Sequence, residues 1–119
     1  MSSYREMRVW QSSMDLVDAV YRTVRLFPRE ELFVLSAQMR SAAISIPCNI
    51  AEGCGRWSQA ELRQFLRHSR GSVLELQTQI LIAGRQRLID ERRPEALDLA
   101  AAEVGKLLNS WLKKLKPKT

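Results

Sequence analysis

The sequence is poor in the residues that most often carry chemistry. In 119 residues it has one histidine, His68, and two cysteines, Cys48 and Cys54. A tetrahedral zinc site needs more ligands than these three positions bring together. The cysteines are six apart, roughly 240° around a helix, so they form neither a CxxC pair nor a metal spacing. They read as free thiols in a reducing compartment, packing as small apolar groups. With five glycines and four prolines, extended linkers and collagen-like repeats are excluded as dominant features. No apolar run reaches the roughly 18 residues of a membrane span. The segment MSSYREMRVW carries charge but neither an apolar core nor a small-residue cleavage site, so the expected location is the cytoplasm. The Gly-Cys-Gly run at 53–55 lacks the GxxxxGK[ST] pattern of a phosphate loop. No cofactor is expected.

What is abundant is arginine. Lysine and arginine total 19 against 13 acidic residues, a net charge of +6. Fourteen of the 19 are arginine, whose planar fork matches phosphate oxygens better than the lysine point charge does. An excess of this kind is the electrostatic footprint of a nucleic-acid or other anionic partner. It also serves plain solubility.

Hydrophobic periodicity is helical almost throughout, without β-alternation. A first helix carries Trp10, Met14, Val17, Tyr21, Val24 and Phe27 on one face and stops at Pro28, with Arg29-Glu30-Glu31 as a short connection. A second carries Leu32, Leu35, Met39, Ala43 or Ala42, Ile46 and Ile50. Gly53 and Gly55 suit its end, where a left-handed residue is common. Ser58-Gln59-Ala60-Glu61 is a capping box that opens a third helix, expected from about Gln59 to Leu88. Its stripe is Leu62, Phe65, Leu66, Ser69, Val73, Leu76, Ile80 and Ala83. Pro94 fits the first turn of a fourth helix, whose stripe is Leu97, Ala101, Val104, Leu108, Trp111 and Leu115. The basic end from about Lys113, with Lys114, Lys116 and Lys118, is expected to fray. The fold class is all-α: one domain over 1–119, an antiparallel up-down-up-down four-helix bundle. Leu74, Leu81, Ile82, Leu107 and Leu112 fall off these stripes. They signify either a wide core face or a surface for self-association.

The stretch SIPCNIAEGCGRWS, 45–58, raises the question of an active site. Pro47 removes the donor that would reach the Ala43 carbonyl, so a kinked second helix is expected, with a break as the alternative. Gln38, Ser41, Ser45, Asn49 and Glu52 then form a polar ribbon, and Ser45 and Asn49 are placed to bond carbonyls around the kink. Glu52 is expected to be at least partly buried and paired with an arginine, among Arg56, Arg63 and Arg67. A single carboxylate with no neighbouring histidine supplies no nucleophile and base. Ser45, Asn49, Glu52, Arg56 and Ser58 therefore read as a structural polar corner, and no catalytic residue is assigned.

Three segments carry a family resemblance: VWQSSMDLVDAVYRTVRLFP, LSAQMRSAAISIPCNIAEGCGR and FLRHSRGSVLELQTQI. Together they resemble the four-helix-bundle proteins of the 23S rRNA intervening-sequence family, from about Arg8 to Ile89. SIPxNIAEGxGR with GSxxEL downstream is the specific part, and the fourth helix contributes little. A related branch is the accessory variability proteins of diversity-generating retroelements. Members of that branch are positively charged pentameric bundles that bind nucleic acid and a partner reverse transcriptase. The resemblance implies for this chain a ring-forming homo-oligomer, a pentamer, without known catalysis, with such a protein partner and nucleic acid as the expected ligands.

Residue by residue, the candidate nucleic-acid contacts are three ridges and a tail. Arg63, Arg67 and Arg70 recur at i, i+4 and i+7 on the third helix. Arg22, Arg25 and Arg29 form a second ridge. Arg85 and Arg87, with Arg92 and Arg93, cluster at the far end of the third helix, and Lys113 and Lys114 lead the tail. Such ridges bind backbone phosphate with little sequence preference. The alternative is a solvated face with pairs such as Asp18–Arg22. No run interleaves aromatic with basic residues, so the sequence offers no stacking motif. A protein-interaction scaffold is the rival function. A remoter one is a small helical ribonuclease using Arg63 and His68 in an RxxxxH spacing, although a regular helix sets that pair about 140° apart.

Overall fold

The structure, a computed structural model, describes residues 3–90 and 93–115. Arg92, the side chain of Arg93, and Lys116 and Lys118 of the basic end lie outside the described residues. Four helices appear, and no strand among the described residues: α1 (Arg8–Val24), α2 (Leu35–Cys54), α3 (Gln59–Arg85) and α4 (Arg93–Lys114). Short 3₁₀ turns at Tyr4–Glu6 and Arg29–Glu31 precede α1 and α2. Among the described residues α1 and α3 each pack on α2 and α4, and neither diagonal pair touches. The molecule is elongated, 48 × 22 × 21 Å.

One core runs between the helices. α2 contributes Met39, Ala42, Ala43, Ile46 and Ile50, and α3 contributes Leu66, Val73, Leu76, Ile80 and Ala83. α4 adds Leu97, Ala101, Val104, Leu108 and Leu112. For α2 and α3 these fall on the sequence stripes, and for α4 they do so except that Leu112 is buried while Trp111 and Leu115 are only partly so. Leu112 belongs to this bundle's own core and Leu107 is partly buried against it. Those two off-stripe leucines therefore widen the core face.

For α1 the buried face is turned by one residue. Val9, Ser13, Leu16, Val20 and Val24 face inward, while Trp10, Val17 and Tyr21 are half-buried and Met14 is exposed. One residue is about 100° of helix. Two apolar stripes lie side by side here, and the inner one is hidden in the sequence by Ser13. Its hydroxyl is satisfied inside the helix by donating to the Trp10 carbonyl at 2.7 Å. The large aromatics keep their polar tips near water at the core edge.

The helix ends also differ from expectation. α2 starts at Leu35 because Val34 (φ −115°, ψ −102°) is not helical, which leaves Leu32 exposed. α3 ends at Arg85, short of Leu88. There the Leu88 N–H donates to the Ala83 carbonyl at 2.9 Å and the Arg87 N–H to Gly84 at 3.1 Å. Arg87 takes the left-handed position, φ 58°. This is a Schellman closure with arginine where glycine is usual. Lys113 and Lys114 remain helical.

Glycines 53 and 55 play another part than a left-handed stop, since no glycine among the described residues has positive φ. Gly55 caps α2 at φ −86°. Gly53 is buried, and a Cβ there would stand 3.0 Å from the Phe65 Cβ and 3.1 Å from Leu62 Cδ1. Its missing side chain is what lets α2 and α3 approach. α2 runs unbroken through Pro47, which is itself buried; the break is not realised.

Candidate nucleic-acid interface

The conspicuous 45–58 stretch lies at the α2–α3 seam, and its polar groups are turned on the protein itself. Ser69, fully buried on α3, donates its hydroxyl to the Ile46 carbonyl at 2.6 Å. Asn49 Nδ2 donates to the Ser45 carbonyl at 2.8 Å and to Ser45 Oγ at 3.0 Å. Ser45 Oγ meets Ser72 Oγ at 2.7 Å. These bonds serve carbonyls beside Pro47 and tie the two helices, so buried polarity is satisfied internally. Ser58 Oγ accepts from the Glu61 N–H at 3.1 Å, which caps α3. Among the described residues the reciprocal half of the capping box, from Ser58 N–H to the Glu61 carboxylate, is not made.

Glu52 is not buried. Its side chain is 62% exposed and pairs with Arg56 alone, at 3.7 Å. α2 ends at Cys54, and the pair forms across a tighter turn in which the Arg56 N–H donates to the Gly53 carbonyl at 3.1 Å. The Glu52 position also points away from the core that Ile50 and Gly53 fill. An exposed pair of this type is worth only about 0.3–0.5 kcal/mol. The Arg56 guanidinium lies 4.7 Å from the Phe65 ring centroid as well, a cation–π contact that lashes the corner to α3. Cys48 and Cys54 are both exposed free thiols, not apolar packers. Partial desolvation raises the Cys54 thiol above its ordinary pKa, which disfavours the thiolate that nucleophilic chemistry requires.

The α3–α4 seam has the opposite character. Arg63, Arg67 and Arg70 of α3 meet Lys113 of α4 around one open concavity of about 370 Å³, with Asn109 and Leu112 between them. Among the described residues none of these four cations forms an ion pair. Arg70 Nη1 reaches only Asn109 Oδ1, at 3.5 Å. Arg63 Nε is covered and has no acceptor among the described residues, an unusual condition for a buried donor. Lys114, next in the helix, is exposed.

The other candidate residues lie toward the opposite end. Arg22 lines a concavity of about 420 Å³ between α1 and the start of α4, with Leu26, Ala96 and Leu97. Arg22 and Arg25 share a second one with Asp18 and Tyr21. The Asp18–Arg22 ion pair is not formed among the described residues. Arg29 sits exposed in the α1–α2 connection. Arg85 and Arg87 border a depression with Leu81, Ile89, Asp90 and Pro94. The ten positions thus divide into a compact α3–α4 cluster of Arg63, Arg67, Arg70, Lys113 and Lys114, and a looser set at the other end. The RxxxxH pair is not brought together: Arg63 lines the groove, while exposed His68 meets Gln64 at 3.4 Å. Among the described residues no cluster of metal-ligating side chains occurs, and no helix is long and apolar enough to cross a membrane.

Asn109 and Leu112 were not among the candidates, although their spacing from Lys113 places them on one turn. Leu74, Leu81 and Ile82 stand out of the α3 surface at 60%, 60% and 44% exposure. Trp57 is fully exposed.

A family model described as 23S rRNA-intervening sequence protein matches residues 5–110. Among solved structures, a protein of unknown function from the S23 ribosomal protein family of Bacteroides thetaiotaomicron VPI-5482 superposes with a TM-score of 0.82. It is 24% identical, over 88% of this chain and 95% of that one. No curated protein matches the chain in sequence.

Proposed function

The chain therefore belongs to the 23S rRNA-intervening sequence protein family, and from that premise we propose that it is a non-catalytic, basic, homo-oligomeric bundle that binds the backbone of RNA or DNA. The observation that carries the proposal is the α3–α4 groove, where Arg63, Arg67, Arg70 and Lys113 converge. Four cations that share no acid attract phosphate and release its counterions on contact. The arginine forks then orient phosphate oxygens without reading bases. Arg22, Arg25, Arg29, Arg85 and Arg87 extend the positive field at the other end.

Self-association is part of the proposal. Leu74 and Leu81 are seven residues apart on one exposed ridge of α3, with Ile82 beside it. A ring of copies, a pentamer by the family resemblance, would cover that ridge and multiply the field. The proposed topology is up-down-up-down. It is supported by contacts whose partners rise on one helix as they fall on the next: Ser45 with Ser72 and Ile46 with Ser69, then Gln77 with Asp98 and Arg70 with Asn109. A bend of α2 at Pro47 belongs to the same picture. In the cytoplasm, such a protein would act as an accessory factor to a nucleic-acid enzyme such as a reverse transcriptase.

The test is binding of generic RNA and DNA across a salt titration, with the oligomer mass measured in parallel. Affinity that falls steeply with salt supports the proposal, and no binding at low salt overturns it. The exposed Leu74–Leu81–Ile82 ridge also favours a second reading, an oligomeric protein scaffold. Binding that withstands high salt, or that requires a protein partner, would select it. His68 is given no catalytic role; RNA cleavage that disappears in His68→Ala would overturn that assignment.

A further inference from the structure

Trp57 lies between the end of α2 and the Ser58 cap of α3, and its side chain is fully exposed. A tryptophan is among the costliest side chains to leave in water. The position has an ordinary structural use. The residue before an N-cap commonly packs on the fourth residue of the helix as a hydrophobic staple. That residue here is Leu62, which instead packs against the core and against Gly53. Trp57 is fully exposed and so does not make the staple. Its neighbours are nevertheless held in place. Arg56 is tied to Glu52 and to the Phe65 ring, and Ser58 is bonded to Glu61. The indole is displayed from a fixed corner.

That corner begins the helix whose later turns carry Arg63, Arg67 and Arg70. From Ser58 to Arg63 the rise is about 7.5 Å, and from Arg63 to Arg70 about 10 Å. At ~3.4 Å per stacked nucleotide, these spans suit roughly two nucleotides and roughly three phosphates. Trp57 precedes in sequence the helix whose arginines line the groove, and an exposed aromatic together with a row of cations is the combination by which single strands are held: phosphates on the cations and a base on the ring. A duplex keeps its bases stacked inside and offers the indole no face.

We infer that Trp57 is a base-stacking platform and that the preferred ligand of the α3–α4 groove is single-stranded nucleic acid. This rests on the backbone-binding proposal above and specifies its ligand.

The experiment compares full-length wild type, Trp57→Ala and Trp57→Phe for binding to a single-stranded oligonucleotide and to its duplex, at one low salt concentration. Light scattering gives the oligomer mass of each variant, and anionic phospholipid vesicles are tested in parallel. The expected result is about a tenfold loss of single-strand affinity in Trp57→Ala. Affinity should be largely restored in Trp57→Phe, with little change for duplex and an unchanged mass. Quenching of tryptophan emission by the single strand should vanish in Trp57→Ala. Equal losses on single strand and duplex, or no loss at all, would overturn the inference while leaving backbone binding intact. A changed oligomer mass, or vesicle binding that depends on Trp57, would overturn it by giving the indole another partner. If wild type binds neither oligonucleotide, the functional proposal itself fails first.

Discussion

The two seams that flank α3 are built from the same helix and do opposite things with polarity. Toward α2, the polar side chains around Pro47 are spent on the protein. Ser69 bonds the Ile46 carbonyl, Asn49 and Ser72 bond Ser45, and Gly53 gives up its side chain so that the backbones can close. Toward α4, Arg63, Arg67 and Arg70 stand with Lys113 around open space, without acidic partners among the described residues. Satisfied polarity holds a fold together, whereas unsatisfied charge is available to a ligand. The conspicuous 45–58 stretch lies at the first seam. The clustered cations lie at the second.

The sharpest way to break this contrast is at Gly53. Gly53→Val places carbon within 3.0 Å of the Phe65 Cβ, an atom fixed to the backbone of α3. Overpacking there should cost about 3 kcal/mol, read as a lower midpoint in chemical denaturation. If stability is unchanged, the seam is looser than the distances say. Next is Ser69→Ala, which adds no bulk at this fully buried site and removes the hydroxyl bonded to Ile46. A loss of about 1–2 kcal/mol is expected by the same measurement, with nucleic-acid binding per folded molecule unaltered.

The second seam should behave in the reverse manner. Arg67→Gln with Arg70→Gln should leave stability within about 0.5 kcal/mol. It should weaken RNA binding about tenfold at low salt and lower the salt slope by about two. A stability loss without an affinity loss would mean that the arginines are structural after all. The smallest effect is at the end of α3. Arg87→Gly relieves the left-handed arginine, φ 58°, and should raise stability by up to about 1 kcal/mol.

Much of this molecule was legible in its sequence, for physical reasons that differ by element. The stripes of α2, α3 and α4 keep an apolar residue at nearly every inward position, Ser69 aside, and no competing aromatic stripe runs beside them in α2 and α3, so periodicity locates them. α1 misled because a buried serine broke the inner stripe while Trp10 and Tyr21 strengthened the outer one. Glu52 misled because burial depends on helix azimuth at a corner, which Gly53 and the Phe65 contact determine through space. The groove was half legible. Arg63, Arg67 and Arg70 share a helical face by spacing alone, but their meeting with Lys113 and Asn109 depends on which helix lies alongside. The exposure of Trp57 was not legible, because it depends on how the α2–α3 corner turns.

The α2–α3 seam also bears on the order in which the chain folds. Its partners are close in sequence: Ser45 to Ser72, Ile46 to Ser69, Gly53 to Phe65. The connecting turn already carries its own stop and start signals at Gly55 and Ser58. Short loops close at little entropic cost, and early structure gathers where contacts are local. The helical hairpin 35–85 is therefore the expected nucleus, on which α1 and α4 condense later. The cationic groove, which needs α4, is then among the last features to form, and a nascent chain would acquire this proposed binding surface only after its scaffold is set.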